Sequence, residues 1–287
     1  MVAGGGVMLR LLGATVLFLL WNTAVSVFAL ILPFQAGLNQ LLGLAAGVAV
    51  TGWYLESGLV RRGRPGQLER HRLLRLRLPG RAATGWISLS IPVFIALSWA
   101  LGELYLTLVP VPPGGFNPFA PMMDDAVGIF SVAVLAVGLA PLVEELFFRG
   151  MLQGTIERRW GVPVAVAMAA LAFALAHLGG YPPQVAPLYV FLGLAFGVAV
   201  VAARSIWAGV ALHAANNTAA LVGFAVVPDT VSYSTVWEAG LSTRWWSNLA
   251  LLAVSGAGFV WTLRKLAQAA RRPSCGAPPR RPLADQP

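Results

Sequence analysis

Cysteine, lysine and charge are scarce in this chain. There is one cysteine among 287 residues, Cys275, which excludes an intramolecular disulfide framework and any two-cysteine redox motif. Charged residues make up 11% of the sequence, against about 25% in an average soluble domain, so a water-soluble globule is excluded. A disordered or fibrous chain is excluded as well, because 57% of the residues are hydrophobic and low charge with high apolarity opposes disorder. Mean hydropathy is +0.73. These values describe a polytopic, all-α membrane protein whose first partner is the lipid bilayer.

The net charge of +9 comes from nineteen arginines and Lys265 set against eleven acids. The basic residues cluster between hydrophobic runs, as the positive-inside rule expects, and not as a nucleic-acid surface would arrange them. Arginine over lysine by nineteen to one, with many Ala and Gly, suggests a high-GC bacterium and hence an inner (plasma) membrane.

A bilayer core takes about 20 apolar residues per helix. Eight stretches qualify: 11–32, 37–60, 82–109, 126–143 and beyond, 162–178, 185–203, 206–227 and 245–263. The first is uncharged for 22 residues after Arg10, too long for a signal-peptide core. With the eight-arginine loop 61–81 inside, alternation places eighteen basic residues on the cytoplasmic side and only Arg244 outside, with Arg149 within the fourth span. Both termini are then cytoplasmic. Four segments follow: N-terminal spans with their basic loop over 1–125, a helical core over 126–227, a last span within 228–266, and a disordered basic tail over 267–287. No internal repeat is visible, as transporter symmetry would require.

Ionisable groups inside a span are costly and default to a functional reading. They are few here: Glu144, Glu145 and Arg149 in the fourth span, His177 in the fifth, and His213 with Asn216 and Asn217 in the seventh. Two of the three histidines therefore lie at membrane depth, while His71 sits in the basic loop. Glu145 and Arg149 are i,i+4 neighbours, as are His213 and Asn217, and as are Phe173 and His177, so each pair shares a helix face. Spans four and five turn near Trp160 and Gly161. Glu144 lies 16 residues before Trp160 and His177 lies 17 after it, which sets both about 24–26 Å from the turn and level with each other. Glu103, near the outer end of span three, reads as interfacial. Gly193 and Gly197 read as helix-packing contacts.

A carboxylate and an imidazole that share a water form a general-base pair, and a second imidazole with an amide can donate to a developing oxyanion. Such a set suits hydrolysis of an amide bond. The same Glu and His residues are also ordinary Zn²⁺ ligands, with Glu144, His177 and His213 as the set if a metal is bound, although the HExxH helix signature is absent.

Three motifs emerge in order on successive spans: Glu144-Glu145-Leu-Phe-Phe-Arg149 (EExxxR), Phe173-Ala-Leu-Ala-His177 (FxxxH) and His213-Ala-Ala-Asn-Asn217 (HxxxN). Together they resemble the CaaX protease and bacteriocin-processing family, which includes the type II CaaX prenyl endopeptidases and their bacterial relatives, over roughly residues 138–222. The resemblance implies an intramembrane endopeptidase acting on a peptide or protein substrate, lipidated or otherwise membrane-associated. It implies Glu144 as the general base assisted by His177, an oxyanion site from His213 and Asn217, and supporting roles for Glu145, Arg149 and Phe173. A glutamate-centred reaction needs no metal, and the family's older metalloprotease label keeps Zn²⁺ as the alternative. Cys275 lies twelve residues from the last residue, so the chain is not expected to be a CaaX substrate itself. Two other functional classes compete: a non-catalytic membrane protein for bacteriocin immunity or scaffolding, and a transporter or proton relay built on the same Glu and His groups.

Overall fold

The computed structural model describes residues 74–110, 126–178, 181–226 and 235–271, with residues 16, 45, 49, 72 and 123 singly. Apart from residues 16, 45 and 49, the expected spans at 11–32 and 37–60 lie outside the described residues, as does His71. Within them every regular element is helical: α1 (Arg81–Leu108), α2 (Ala126–Trp160), α3 (Val162–His177), α4 (Ala186–Ala203), α5 (Ile206–Val226), a short α6 (Val236–Ala239) and α7 (Thr243–Arg271). Four of these, α1, α2, α7 and α4 with its leading 3₁₀ turn from Pro183, are long and apolar enough to cross a membrane. The fifth expected span appears as α3, an apolar helix of 16 residues. The seventh appears as α5, of 21 residues, in which His213, Asn216 and Asn217 dilute the apolar run.

Helix boundaries follow local chemistry. Gly161 adopts φ +82°, a left-handed conformation open to glycine, and Pro163 follows within the first turn of α3, where a missing N–H costs nothing. This makes the hairpin expected at Trp160-Gly161. Arg204 closes α4 with φ 55°, and α5 begins two residues later. The final helix continues through Arg271, past the expected boundary at 266, because Gln268, Ala269 and Ala270 are good helix formers and Ala269 packs on the core.

α2 is helical throughout its 35 residues but winds unevenly. Two π-helical stretches, Val134–Leu139 and Leu146–Gln153, flank a six-residue α-helical segment, Ala140–Glu145. Pro141 supplies a cause for the first: it has no N–H and its ring presses on the carbonyl four residues back. The N–H of Ala140 reaches Leu135 O, five residues away. Short π segments often mark functional sites within helices. Here they bracket the paired acids Glu144 and Glu145.

Lipid tails are as apolar as leucine, so packing and small residues hold such a bundle together. A Cβ on Gly193 of α4 would stand 2.7 Å from Ala170 Cα of α3, so the two backbones meet only because position 193 has no side chain. Phe94 on α1 is fully buried against Phe191 and Phe196 of α4 and Phe259 of α7, with ring centroids 6.4, 5.6 and 5.4 Å away. Thus α1 and α7 pack on the same core as the helices that carry the polar motifs. Phe130, Leu171, Leu175, Val254 and Trp261 point outward, as lipid-facing side chains do.

Glu103, near the outer end of α1, is 7% exposed and hydrogen-bonded to Arg244 at the start of α7. The packing of α7 along α1 brings the two together, which also gives the single outlying arginine a structural partner.

Candidate active site

Glu144 and Glu145 are consecutive in α2 and point to different neighbours. Glu145 is fully buried; its Oε1 lies 2.8 Å from Arg149 Nη1 and 3.2 Å from His213 Nδ1. Glu144 faces a cavity of about 380 Å³ lined also by Phe173, His177, His213, Asn216 and Asn217. Its Oε2 is 3.9 Å from Nε2 of His177 and 3.9 Å from Nε2 of His213, and has no hydrogen-bond partner among protein atoms. The level placement of Glu144 and His177 inferred from residue counts therefore holds. His213 of α5 is as close to Glu144 as His177 is.

Both imidazoles are held with a defined face toward Glu144. Nδ1 of His177 lies 2.7 Å from the carbonyl oxygen of Phe173. A carbonyl only accepts, so Nδ1 carries the proton, and in the neutral ring Nε2 presents its lone pair to the cavity. Nδ1 of His213 is placed in the same way against the Glu145 carboxylate. His177 is sandwiched between Phe173 and Tyr189, with centroids 4.4 Å from each and the Tyr189 ring inclined by only 21°. His213 stacks on Phe196 at 4.8 Å and 19°. These rings leave the imidazoles little freedom to turn.

Beneath this layer runs a buried polar ladder. Arg149 is fully buried, paired with Glu145, and donates to Gly193 O at 3.1 Å. Its guanidinium carbon lies 4.6 Å from the centre of the Phe173 ring and 5.2 Å from that of Phe196, within cation–π range. One turn further on, Gln153 donates to Gly197 O at 3.4 Å. Glu145, Arg149 and Gln153 are thus an i, i+4, i+8 stripe on α2, from which Arg149 and Gln153 donate to the buried carbonyls of Gly193 and Gly197 on α4. Those glycines allow close packing, as expected, and their bare backbone also accepts the polar side chains.

Asn217 donates from Nδ2 to Ala136 O at 2.8 Å, in the first π stretch of α2, and still lines the cavity. One of its two N–H bonds is used in that contact and one is left. Asn216 lines the same cavity.

Four residues in or behind the site were not anticipated from the sequence. Tyr189 and Tyr181 stack as a pair, 5.0 Å between centroids, on the outer side of His177. Burial pushes the Tyr181 phenol above its ordinary range, with Tyr189 acting partly in the opposite sense through a hydrogen bond. Gln153 extends the i,i+4 series that Glu145 and Arg149 begin. Gly209 lies four residues before His213, where a Cβ would stand 2.3 Å from Glu145 Oε2. A glycine at i−4 from an intramembrane histidine was the available signal.

Zn²⁺ does not fit this donor set. Among the described residues no group of three or more His, Cys, Asp or Glu side chains is arranged to hold a metal ion. Glu144 Oε2 stands 3.9 Å from each Nε2, whereas tetrahedral bonds of about 2.0–2.2 Å bring ligand atoms to roughly 3.3–3.6 Å of one another.

A bundle of apolar helices with this carboxylate, imidazole and guanidinium cluster at its centre defines a membrane protein with a buried polar site. Residues 126–219, the stretch from α2 to Ala219 in α5, match the family model described as type II CAAX prenyl endopeptidase Rce1-like. The match contains all three motifs. No curated protein and no solved structure matches the chain.

Proposed function

We propose that the protein is a membrane-embedded endopeptidase in which Glu144 activates water for attack on a peptide bond. The observation that carries this reading is the position of Glu144 Oε2, unpartnered in the protein and 3.9 Å from the Nε2 atoms of both histidines. That spacing is too long for a direct hydrogen bond and suits a shared water. A water there donates one hydrogen to the carboxylate and one to the Nε2 lone pair of His177.

In the reaction, Glu144 takes the proton as the water oxygen bonds to the scissile carbonyl carbon. The oxyanion that forms is met by the remaining N–H of Asn217 and by Nε2–H of His213 when that ring carries both protons, beside the Glu145 carboxylate. Collapse breaks the carbon–nitrogen bond, and the proton held by Glu144 passes to the leaving amine. Arg149 and Glu145 act by positioning. The cavity walls are mostly apolar, with Leu135, Leu188, Leu192 and Phe224 among them, which favours a hydrophobic or lipidated segment close to the membrane. The arginine-rich ends of α1, α2, α4 and α7 then lie on the cytoplasmic side.

The test is proteolysis by the purified protein in detergent, wild type beside Glu144→Ala and Glu144→Gln. Substrates are a quenched farnesylated CaaX reporter and a mixture of host membrane proteins read by mass spectrometry. Cleavage by wild type, lost in both variants with folding intact, is the expected result. Equal cleavage by wild type and Glu144→Gln overturns the assignment of the base.

A further inference from the structure

The basic end of the bundle carries a second cavity, separate from the polar site. It measures about 1010 Å³ and is lined by Arg72, Arg75, Arg77, Arg204 and Arg271 with Glu157 as its acid. Glu157 lies thirteen positions beyond Glu144 on α2, about three helical turns away. Five arginines against one glutamate leave a net charge of four, positive. The cavity sits where α1 begins and where α2, α4 and α7 end, which is headgroup depth for helices that cross a bilayer.

This cavity is built, not frayed. Segment 75–77 is strapped to the turn between α4 and α5 by three hydrogen bonds: Ile206 N to Arg75 O at 3.0 Å, Ser205 Oγ to Arg77 O at 2.7 Å, and Trp207 Nε1 to Leu76 O at 3.1 Å. Arg75 gives one terminal nitrogen to both oxygens of Glu157, at 2.6 and 2.7 Å, and its other terminal nitrogen, Nη1, is buried with no partner in the protein. Among the described residues only two non-glycine residues have positive φ, Arg75 at 54° and Arg204 at 55°. Both line this cavity. Glycine or asparagine closes such turns at less steric cost, yet both positions place a guanidinium here instead.

We propose that this cavity binds the phosphate headgroup of an anionic phospholipid. Arginine presents a planar donor fork that matches phosphate oxygens, and basic pockets between membrane helices are suited to lipid headgroups. The apolar part of the lining selects a lipid over a free phosphate ester: Leu76, Leu78, Val201 and the alanines at the ends of α4 and α7 share the cavity with the arginines. Leu78 is 71% exposed, a cost in water that an acyl chain removes. The inference does not depend on the peptidase reading.

The experiment is native mass spectrometry of the full-length protein released from a neutral detergent. Three probes are added in turn: dioleoyl-phosphatidylglycerol, dioleoyl-phosphatidylcholine and glycerol phosphate. Wild type should retain phosphatidylglycerol in preference to phosphatidylcholine, and glycerol phosphate should not displace it. The double variant Arg204→Asn, Arg271→Gln keeps a residue that tolerates the left-handed turn. It should bind phosphatidylglycerol about thirtyfold more weakly, from roughly fivefold per arginine at a membrane surface. If that variant does not fold, Arg271→Glu alone, at an exposed helix end, should lower retention at least as far as one arginine's share. Equal retention of the two lipids, or unchanged retention in the variants, overturns the proposal. Displacement by glycerol phosphate overturns the lipid assignment in favour of a free phosphate ester.

Discussion

Gly209→Ala isolates the contact on which the buried ion cluster rests. In α5 the Gly209 backbone lies against the Glu145 carboxylate, and an added Cβ would stand 2.3 Å from Glu145 Oε2 and 2.8 Å from Val200 Cγ2. Ordinary contact begins at 3.4 Å, so the oxygen must retreat by about 1 Å or α5 must move by as much. Neither is free. Glu145 Oε1 is already shared between Arg149 and His213, and Val200 is itself fully buried. Overpacking of this kind costs about 1–3 kcal/mol. Loosening the buried pair adds part of the roughly 3–5 kcal/mol that losing one partner would cost. A net loss of about 2–4 kcal/mol follows, together with a displaced His213 and, if the peptidase reading is right, about 100-fold less cleavage for a misplacement near 1 Å.

Gly223→Ala is the matched control, because the same helix offers open space there, with nothing within 4 Å of the added Cβ. Replacing a helical glycine without a clash gains about 0.5–1 kcal/mol. Reversible unfolding in mixed micelles measures both variants, and the cleavage assay is run beside it. Gly209→Ala as stable and as active as Gly223→Ala would refute the argument that Gly209 positions Glu145.

Other perturbations test neighbouring links. Arg149→Met leaves Glu145 buried without its cation and should cost about 3–5 kcal/mol by the same unfolding measurement; Arg149→Lys keeps the charge but gives up the Gly193 carbonyl and should fall between the two. Tyr189→Phe preserves the ring over His177 and should cleave nearly as wild type, whereas Tyr189→Ala frees the imidazole and should lower kcat about tenfold or more with little change in KM. Burial raises the Tyr181 phenol, so the folded protein holds that proton above the pH at which the unfolded chain, near the ordinary 10.0, releases it. The stabilisation is complete below that pH and is lost as pH rises toward the folded value. Tyr181→Phe should therefore flatten the alkaline decline of stability and leave the neutral range unchanged.

What the sequence disclosed depended on whether helical periodicity alone could carry it. The turn at Trp160-Gly161, the level placement of Glu144 and His177, the Glu145–Arg149 pair and the Phe173 contact all follow from rise and repeat, because α3 is regular and Glu145 and Arg149 stay paired at i,i+4 into the π stretch of α2. The motif order pointed to the same stretch that the family model matches, residues 126–219. Long-range contacts across helix faces were not available in the same way. Gln153 and Gly197 each sit in an ordinary apolar-helix context, and only the crossing of α2 and α4 turns them into donor and acceptor. The π stretches were hidden too, since Pro141 advertises a local disturbance but not which hydrogen bonds will lengthen.

Two demands meet in one regular α-helical segment, Ala140–Glu145. Adjacent residues on a regular helix diverge by about 100°, so Glu144 and Glu145 cannot both face one point. The structure uses that divergence: Glu144 opens onto the cavity while Glu145 turns inward to Arg149, His213 and the bare backbone of Gly209. Both carboxylates leave Oε2 without a hydrogen-bond partner in the protein, but Glu144 opens onto the cavity whereas Glu145 is held in an ion cluster through its Oε1. Their neighbours separate their roles more firmly than their sequence positions do. His213 bridges them, with Nδ1 on Glu145 and Nε2 toward Glu144, so any movement of the locked acid reaches the free one through a single imidazole. The prediction for Gly209→Ala rests on that bridge, and so does the expectation that activity falls further than stability alone would require.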